Sequence, residues 1–244
     1  MRKELVAVIG RLIGISLATG LMFLTPPAYA QARRAGTPDL TGVYQLVPNN
    51  VTIPGGLKNA GSPEQLSLRP AAAAKAKATD HNTDPARDCQ LIGPFRMMAK
   101  EGNLLDILPS TPTGRIFFLF EDYYAGLFRE IFMDRQHDPK RAPSWNGDSV
   151  AKWEGDTLVV DTVNFNEYVW LNANAAPHSD ALRLTERYGL VAGGQYLEAK
   201  VTADDLKTLT KPYTYTRYYQ KVNTEVPQYV CTDDLLQPAL PRVE

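Results

Sequence analysis

The sequence predicts a mainly β protein, a single antiparallel meander closed into a barrel behind an N-terminal arm with one short helix. Three observations predict it. From Cys89 onward the chain breaks into short runs rich in Val, Phe, Tyr and Thr, each bounded by Gly, Asp, Asn or Pro. The links between these runs are short and almost none reads as helix, so neighbouring runs pair with each other. No linker interrupts residues 89–231, so the runs share one core, and closing the sheet removes its exposed edges.

The elements follow in order. Arg2, Lys3 and Arg11 precede the thirteen-residue apolar run Leu12–Leu24, followed by Pro26-Pro27 and Ala28-Tyr29-Ala30. That is the order of a secretory leader, which places cleavage after Ala30 and the mature protein in the periplasm or outside the cell. The run is too short for the roughly 20 residues of a membrane-spanning helix, the competing reading. Residues 31–88 form the arm. In it only Gly42–Val47 reads as a strand, and Ser67–Thr79, with Pro70 in its first turn and a run of alanines, reads as the helix. Residues 89–244 form the barrel domain. Its strands are Arg115–Phe120, Leu127–Met133, Val150–Trp153, Thr157–Val163, Leu182–Tyr188, Gln195–Val201 and Tyr213–Val222, with hairpins at Glu154-Gly155-Asp156 and Ala192-Gly193-Gly194.

Composition narrows the function classes. The 244 residues carry 26 Lys and Arg against 27 Asp and Glu, which excludes a polybasic nucleic-acid binder. Two cysteines are too few for a disulfide-built scaffold. In an oxidising compartment Cys89 and Cys231 either pair, the favoured reading, or stay as buried thiols.

Strand alternation sorts each run into two faces. Leu182, Leu184, Glu186 and Tyr188 share the apolar face of one strand, so a carboxylate points inward with them. Tyr213, Tyr215, Arg217 and Tyr219 make an aromatic row that holds a guanidinium, while Arg129 and Glu130 sit among the apolar residues of Leu127–Met133. Such charges are costly to bury unless paired. They either form structural ion pairs or line the polar floor of a ligand cavity.

The centre of the chain carries Trp145-Asn146-Gly147-Asp148-Ser149, then Trp153-Glu154-Gly155-Asp156-Thr157-Leu158-Val159-Val160-Asp161-Thr162. Pro177-His178-Ser179 and Leu184-Thr185-Glu186-Arg187-Tyr188 follow. In these strings the chain resembles a family of exported bacterial proteins with a lipocalin-like barrel. The resemblance implies the export and the barrel, and attaches no reaction to any motif. In overall character, with no shared motif, the chain also resembles the formaldehyde-releasing lyases by which sphingomonads degrade lignin-derived phenylcoumarans.

No nucleotide-binding glycine turn, serine-hydrolase elbow or H-E-x-x-H spacing is present. A metal site built from His137, His178 and a carboxylate, or a haem held by one of those histidines, is a minor reading, and no cofactor is expected. What remains is cofactor-free acid–base chemistry on a small aromatic or apolar molecule. His178 is the candidate general base or acid, with Asp180 or Glu186 to orient it and Arg129 or Arg217 to stabilise an anion. Trp145, Trp153, Trp170, Tyr188, Tyr215 and His137 are the candidate substrate contacts. The competing functions are a non-catalytic periplasmic carrier of an apolar ligand and a structural module.

Overall fold

The computed structural model describes residues 36–110, 113–121 and 127–227. The leader and Cys231 lie outside the described residues, and with Cys231 lies the expected bridge to Cys89.

Nine strands form one closed sheet: β1 Gly42–Leu46, β2 Leu104–Ser110, β3 Arg115–Phe120, β4 Leu127–Met133, β5 Asp148–Glu154, β6 Thr157–Val163, β7 Arg183–Val191, β8 Tyr196–Asp204 and β9 Tyr213–Val222. The expected mainly β barrel is present. Two features of its wiring differ from the expected meander. First, β1 comes from the stretch read as an arm. It pairs antiparallel with β2 and with β9, where Gln45 faces Gln220, and so closes the ring. Second, β4 and β5 run parallel, joined through only Phe132↔Val150 and Met133↔Ala151. A parallel step needs a crossover, because a tight turn reverses direction. Residues 134–147 supply it as a strap over the outer wall.

The alternation of each strand divides inside from outside. Ile116, Phe118 and Phe120 point inward from β3, Leu158, Val160 and Thr162 from β6, and Leu184, Glu186 and Tyr188 from β7. All are buried. In β9, Tyr215, Arg217 and Tyr219 are buried on one face, as the sequence pattern implies.

The long connection from β1 to β2 holds two helices, α1 Pro70–Ala78 and α2 Pro94–Met97. Helix α1 starts on Pro70 and buries only Ala72 and Ala76, one turn apart, so it packs lightly. Helix α2 is short but central. Phe95, Met97 and Met98 lie in the main core, and Tyr215 Oη donates to the Phe95 carbonyl at 2.5 Å while Tyr219 Oη donates to that of Met98 at 2.6 Å. The inward tyrosines thereby fasten α2 as a stopper at one end of the barrel. Gly93, just before it, has φ +74, and a Cβ there would come within 2.7 Å of Val169. Only glycine lets the chain turn into α2 at that distance.

Candidate functional site

Inside the barrel, Arg129 on β4 and Glu186 on β7 form an ion pair with no exposed side-chain surface on either partner. Arg129 Nη1 donates to Glu186 Oε1 at 2.8 Å, and its Nη2 to Glu186 Oε2. Ser149 Oγ accepts from Arg129 Nε at 3.2 Å and Thr162 Oγ1 from Nη2 at 2.7 Å, so β5 and β6 complete the shell. Tyr188 Oη donates to Glu186 Oε1 at 2.6 Å. Burial, and then the Glu186 charge beside it, push the Tyr188 phenol well above its ordinary value, so it stays a donor. Arg217 points into the same core, and its Nη1 donates to the carbonyls of Gly61 at 2.8 Å and Thr216 at 3.0 Å. Tyr215, its ring 4.9 Å from the Arg217 guanidinium, is likewise raised by burial.

These groups are packed against each other and leave no room among them. A ligand cavity of useful size would leave its lining side chains accessible, yet Arg129, Tyr188, Leu105, Phe118, Leu197 and Val201 all have zero exposure. Among the described residues, then, the barrel interior is filled. This corrects the expectation of a guest held inside it. Of the charges on the inward faces, Arg129 and Glu186 form the structural ion pair of the two readings weighed above, and Arg217 is held by backbone carbonyls.

The catalytic candidates are not assembled. His178 stands in the connection between β6 and β7, with Nδ1 2.8 Å from the Ser179 carbonyl oxygen and Nε2 2.9 Å from that of Asn166. Both ring nitrogens face carbonyl oxygens of the loop, and the ring meets Phe165 edge-on, 6.1 Å between centroids. Asp180 points away into solvent, 83% exposed, and accepts from Lys207 Nζ at 2.6 Å. The group next to His178 in sequence that is well bound is Ser179, whose Oγ donates to Asp205 at 2.7 Å. Glu186 is sealed inside with Arg129. The three acid–base candidates thus have three separate sets of partners.

The proposed contact residues are equally dispersed. Tyr188 and Tyr215 are interior, and Trp153 packs on the edge of the core. Trp145 lies against Tyr168, centroids 5.8 Å apart, and Trp170 meets His81 edge-on at 6.4 Å. His137 lies on the outer wall, in the strap. Its Nδ1 is 3.1 Å from Asp148 Oδ2 and its Nε2 is 3.0 Å from Asp161 Oδ2. Arg135 donates to Asp148 at 2.9 Å, Arg141 reaches it at 3.2 Å, and Arg183 binds Asp161 through two nitrogens. Burial raises the Asp148 carboxyl, but hydrogen bonds from the Asp138 amide and His137, with the Arg141 and Arg135 charges, hold it below the ordinary value. In Asp161 burial is likewise outweighed by the hydrogen bonds from Arg183 and His137. The cluster pins the strap to β5 and β6. No group of three or more His, Cys, Asp or Glu among the described residues is arranged to hold a metal ion.

Recesses on the outer wall provide the space that the interior lacks. One, of about 410 Å³, opens where β1, β8 and β9 meet the segment after β1. Leu46, Val47, Pro48, Val51 and Ile53 form its apolar wall, and Gln45, Glu101, Tyr196 and Gln220 its polar rim. Beneath it Val47, Ile53 and Tyr218 make a small core of their own, with Leu57, Val191 and Tyr196 packed on it. The Tyr218 phenol, raised by burial to about 12, donates to Glu198 at 2.8 Å. Sequence reasoning missed this recess. Its residues lie in a Pro- and Gly-rich stretch with no periodicity, and the only available signal was the cluster of Val47, Val51 and Ile53 within it.

The closed barrel of nine strands fits the lipocalin-like fold. No family model matches the chain, and no curated protein matches it. Among solved structures it is similar to the REP1-NXSQ fatty acid transporter, with 9% identity, a TM-score of 0.38, and 77% of this chain and 98% of that one covered. It is also similar to secretory abundant heat soluble protein 4 from Ramazzottius varieornatus, with 11% identity, a TM-score of 0.37, and 75% and 94% covered. No helix among the described residues is long and apolar enough to cross a membrane.

Proposed function

We propose that this is an exported binding protein that carries a small apolar molecule in the recess between β1 and the Val47–Ile53 segment, without chemistry on it. The observation that carries the reading is the recess itself. Its volume of about 410 Å³ and its wall of five apolar side chains beneath a polar rim match what small-molecule sites require. The rim supplies the polar contacts that orient a ligand with one polar end: two glutamine amides, the Tyr196 phenol and Glu101, to which Asn49 already donates. Export rests on the leader pattern of residues 1–30. The acid–base lyase is the weaker reading, because His178, Asp180 and Glu186 have separate partners.

Val51 gives the test, since it is 40% exposed and its replacement costs the fold little. The purified protein, titrated with a fluorescent naphthalene probe and with decanoic acid as competitor, is expected to bind saturably. The substitution Val51→Asp puts a charge in the apolar wall and is expected to weaken binding at least about tenfold. Unchanged affinity in that variant rules out this recess. Formaldehyde released from a phenylcoumaran in the same preparation replaces the carrier with the lyase.

A further inference from the structure

A second recess lies on the other side of the barrel, where the strap reaches β5. It has a volume of about 230 Å³. Its walls combine features that the carrier reading does not use. Phe128, on the outer face of β4, is 62% exposed, the most exposed large apolar side chain among the described residues. Leu91 provides a second apolar surface. Charges of both signs stand beside them. Arg141 uses Nε toward Asp148 at 3.2 Å, and its terminal nitrogens have no hydrogen-bond partner among the described residues. Glu130 accepts from Arg115 Nη1 through Oε1 at 2.5 Å, which leaves Oε2 without a partner among the described residues. Ser144 Oγ is occupied by the Gly147 carbonyl at 3.1 Å. Asn146 Oδ1 is withdrawn from water with no partner, and the side chain is held only by one 3.3 Å bond from Nδ2 to the Phe128 carbonyl.

Each feature excludes a class of ligand. A simple carboxylate suits Arg141 but leaves Glu130 Oε2 without a donor, and a simple amine meets the reverse problem. A purely apolar molecule covers the Arg141 terminal nitrogens and Glu130 Oε2 without offering either a hydrogen bond, which costs free energy. A molecule that carries both charges and an apolar side chain satisfies all of them. We propose that this recess binds a small zwitterion of the α-amino-acid type with an apolar side chain, its carboxylate on Arg141, its ammonium on Glu130 and its side chain against Phe128 and Leu91. The volume suits one such molecule. An ammonium N–H also provides the donor that Asn146 lacks.

The test is calorimetry on the full chain with three probes of one shape: phenylalanine, 3-phenylpropanoate without the amine, and phenethylamine without the carboxylate. Phenylalanine is expected to bind at least about tenfold more tightly than either, since a charge-assisted contact is worth that much. Arg141→Met is expected to weaken phenylalanine about tenfold and leave phenethylamine unchanged, and Glu130→Gln to weaken phenylalanine while sparing 3-phenylpropanoate. Arg141 also helps to pin the strap. Phe128→Ala, a change at an exposed site, therefore serves as a second variant, with an expected loss of about tenfold for phenylalanine. Phenylalanine bound no better than its one-charge analogues overturns the proposal, as does a neutral methyl glucoside that binds in its place. Val51→Asp leaves phenylalanine binding unchanged, so failure here is distinct from failure of the carrier reading.

Discussion

Replacing Glu186 by Leu removes the carboxylate bound to the Arg129 guanidinium, which is fully buried. Breaking a buried ion pair from one side costs about 3–5 kcal/mol, because the remaining charge is left without its counter-ion. Two details act in opposite directions within that range. Ser149 and Thr162 still accept from Arg129, so the guanidinium keeps hydrogen bonds although it loses the opposite charge. Tyr188, on the other hand, loses its acceptor at 2.6 Å. The expected loss is about 3 kcal/mol, which for a domain of this size lowers Tm by about 6–12 °C. The assay is urea and thermal unfolding followed by circular dichroism and tyrosine fluorescence. The double variant Arg129→Met with Glu186→Leu is expected to recover most of the loss, since a pair replaced by apolar groups of similar volume is often neutral. A single variant within about 1 kcal/mol of the wild type refutes the reasoning. So does a double variant that is worse than the single one, because the cost would then lie in packing.

Two further predictions concern the outer wall. The Asp148 and Asp161 carboxyls are held below the ordinary value in the folded protein, so the stability they contribute is present above about pH 4 and is lost as pH falls through their folded values. Urea midpoints taken from pH 7 to pH 2 are expected to drop on the acid side. Asp148→Asn is expected to lower the neutral midpoint and flatten that drop, and an acid limb parallel to the wild type contradicts the assignment. At Gly147 φ is +64 and an added Cβ meets the Val163 carbonyl oxygen at 2.4 Å, whereas Gly155, at φ +59, has open space around it. Gly147→Ala is expected to cost about 2–3 kcal/mol and Gly155→Ala about 1 kcal/mol, read from urea midpoints, and equal costs remove the role of the close approach.

Much of the barrel is legible because a strand with one wet face and one dry face writes itself as alternation. Leu184, Glu186 and Tyr188 point inward as their spacing implies, as do Tyr215, Arg217 and Tyr219. Strand β2 escapes because Asp106 and Pro109 interrupt Leu104–Ser110, whereas β1 reads as a strand but stands alone among turn residues, so its place in the barrel does not show. The strap escapes for a different reason. A polar segment between two strands reads as a hairpin link, and nothing local reveals that Asp134–Gly147 crosses from one end of the barrel to the other. The site is less legible still. That Arg129 and Glu186 are inward charges follows from pattern, but that they face each other is decided by four strands brought together in space. The stopper is hidden as well, because α2 is a four-residue helix without amphipathic length. Phe132 illustrates the outer wall. It alternates as a surface residue, yet it is buried because Arg135 stacks 3.4 Å from its ring centroid and Arg141 4.7 Å from it.

The pairing of β1 with β9 makes the ring depend on partners at opposite ends of the described chain: Gln45 finds Gln220, and Lys221 donates to the Thr41 carbonyl. During synthesis the first strand therefore has one neighbour and waits for the other until nearly everything else has emerged. Contacts so distant along the chain form late and slowly, and an unsatisfied strand edge is an invitation to aggregate. A polypeptide built this way gains from being kept unfolded until it is whole.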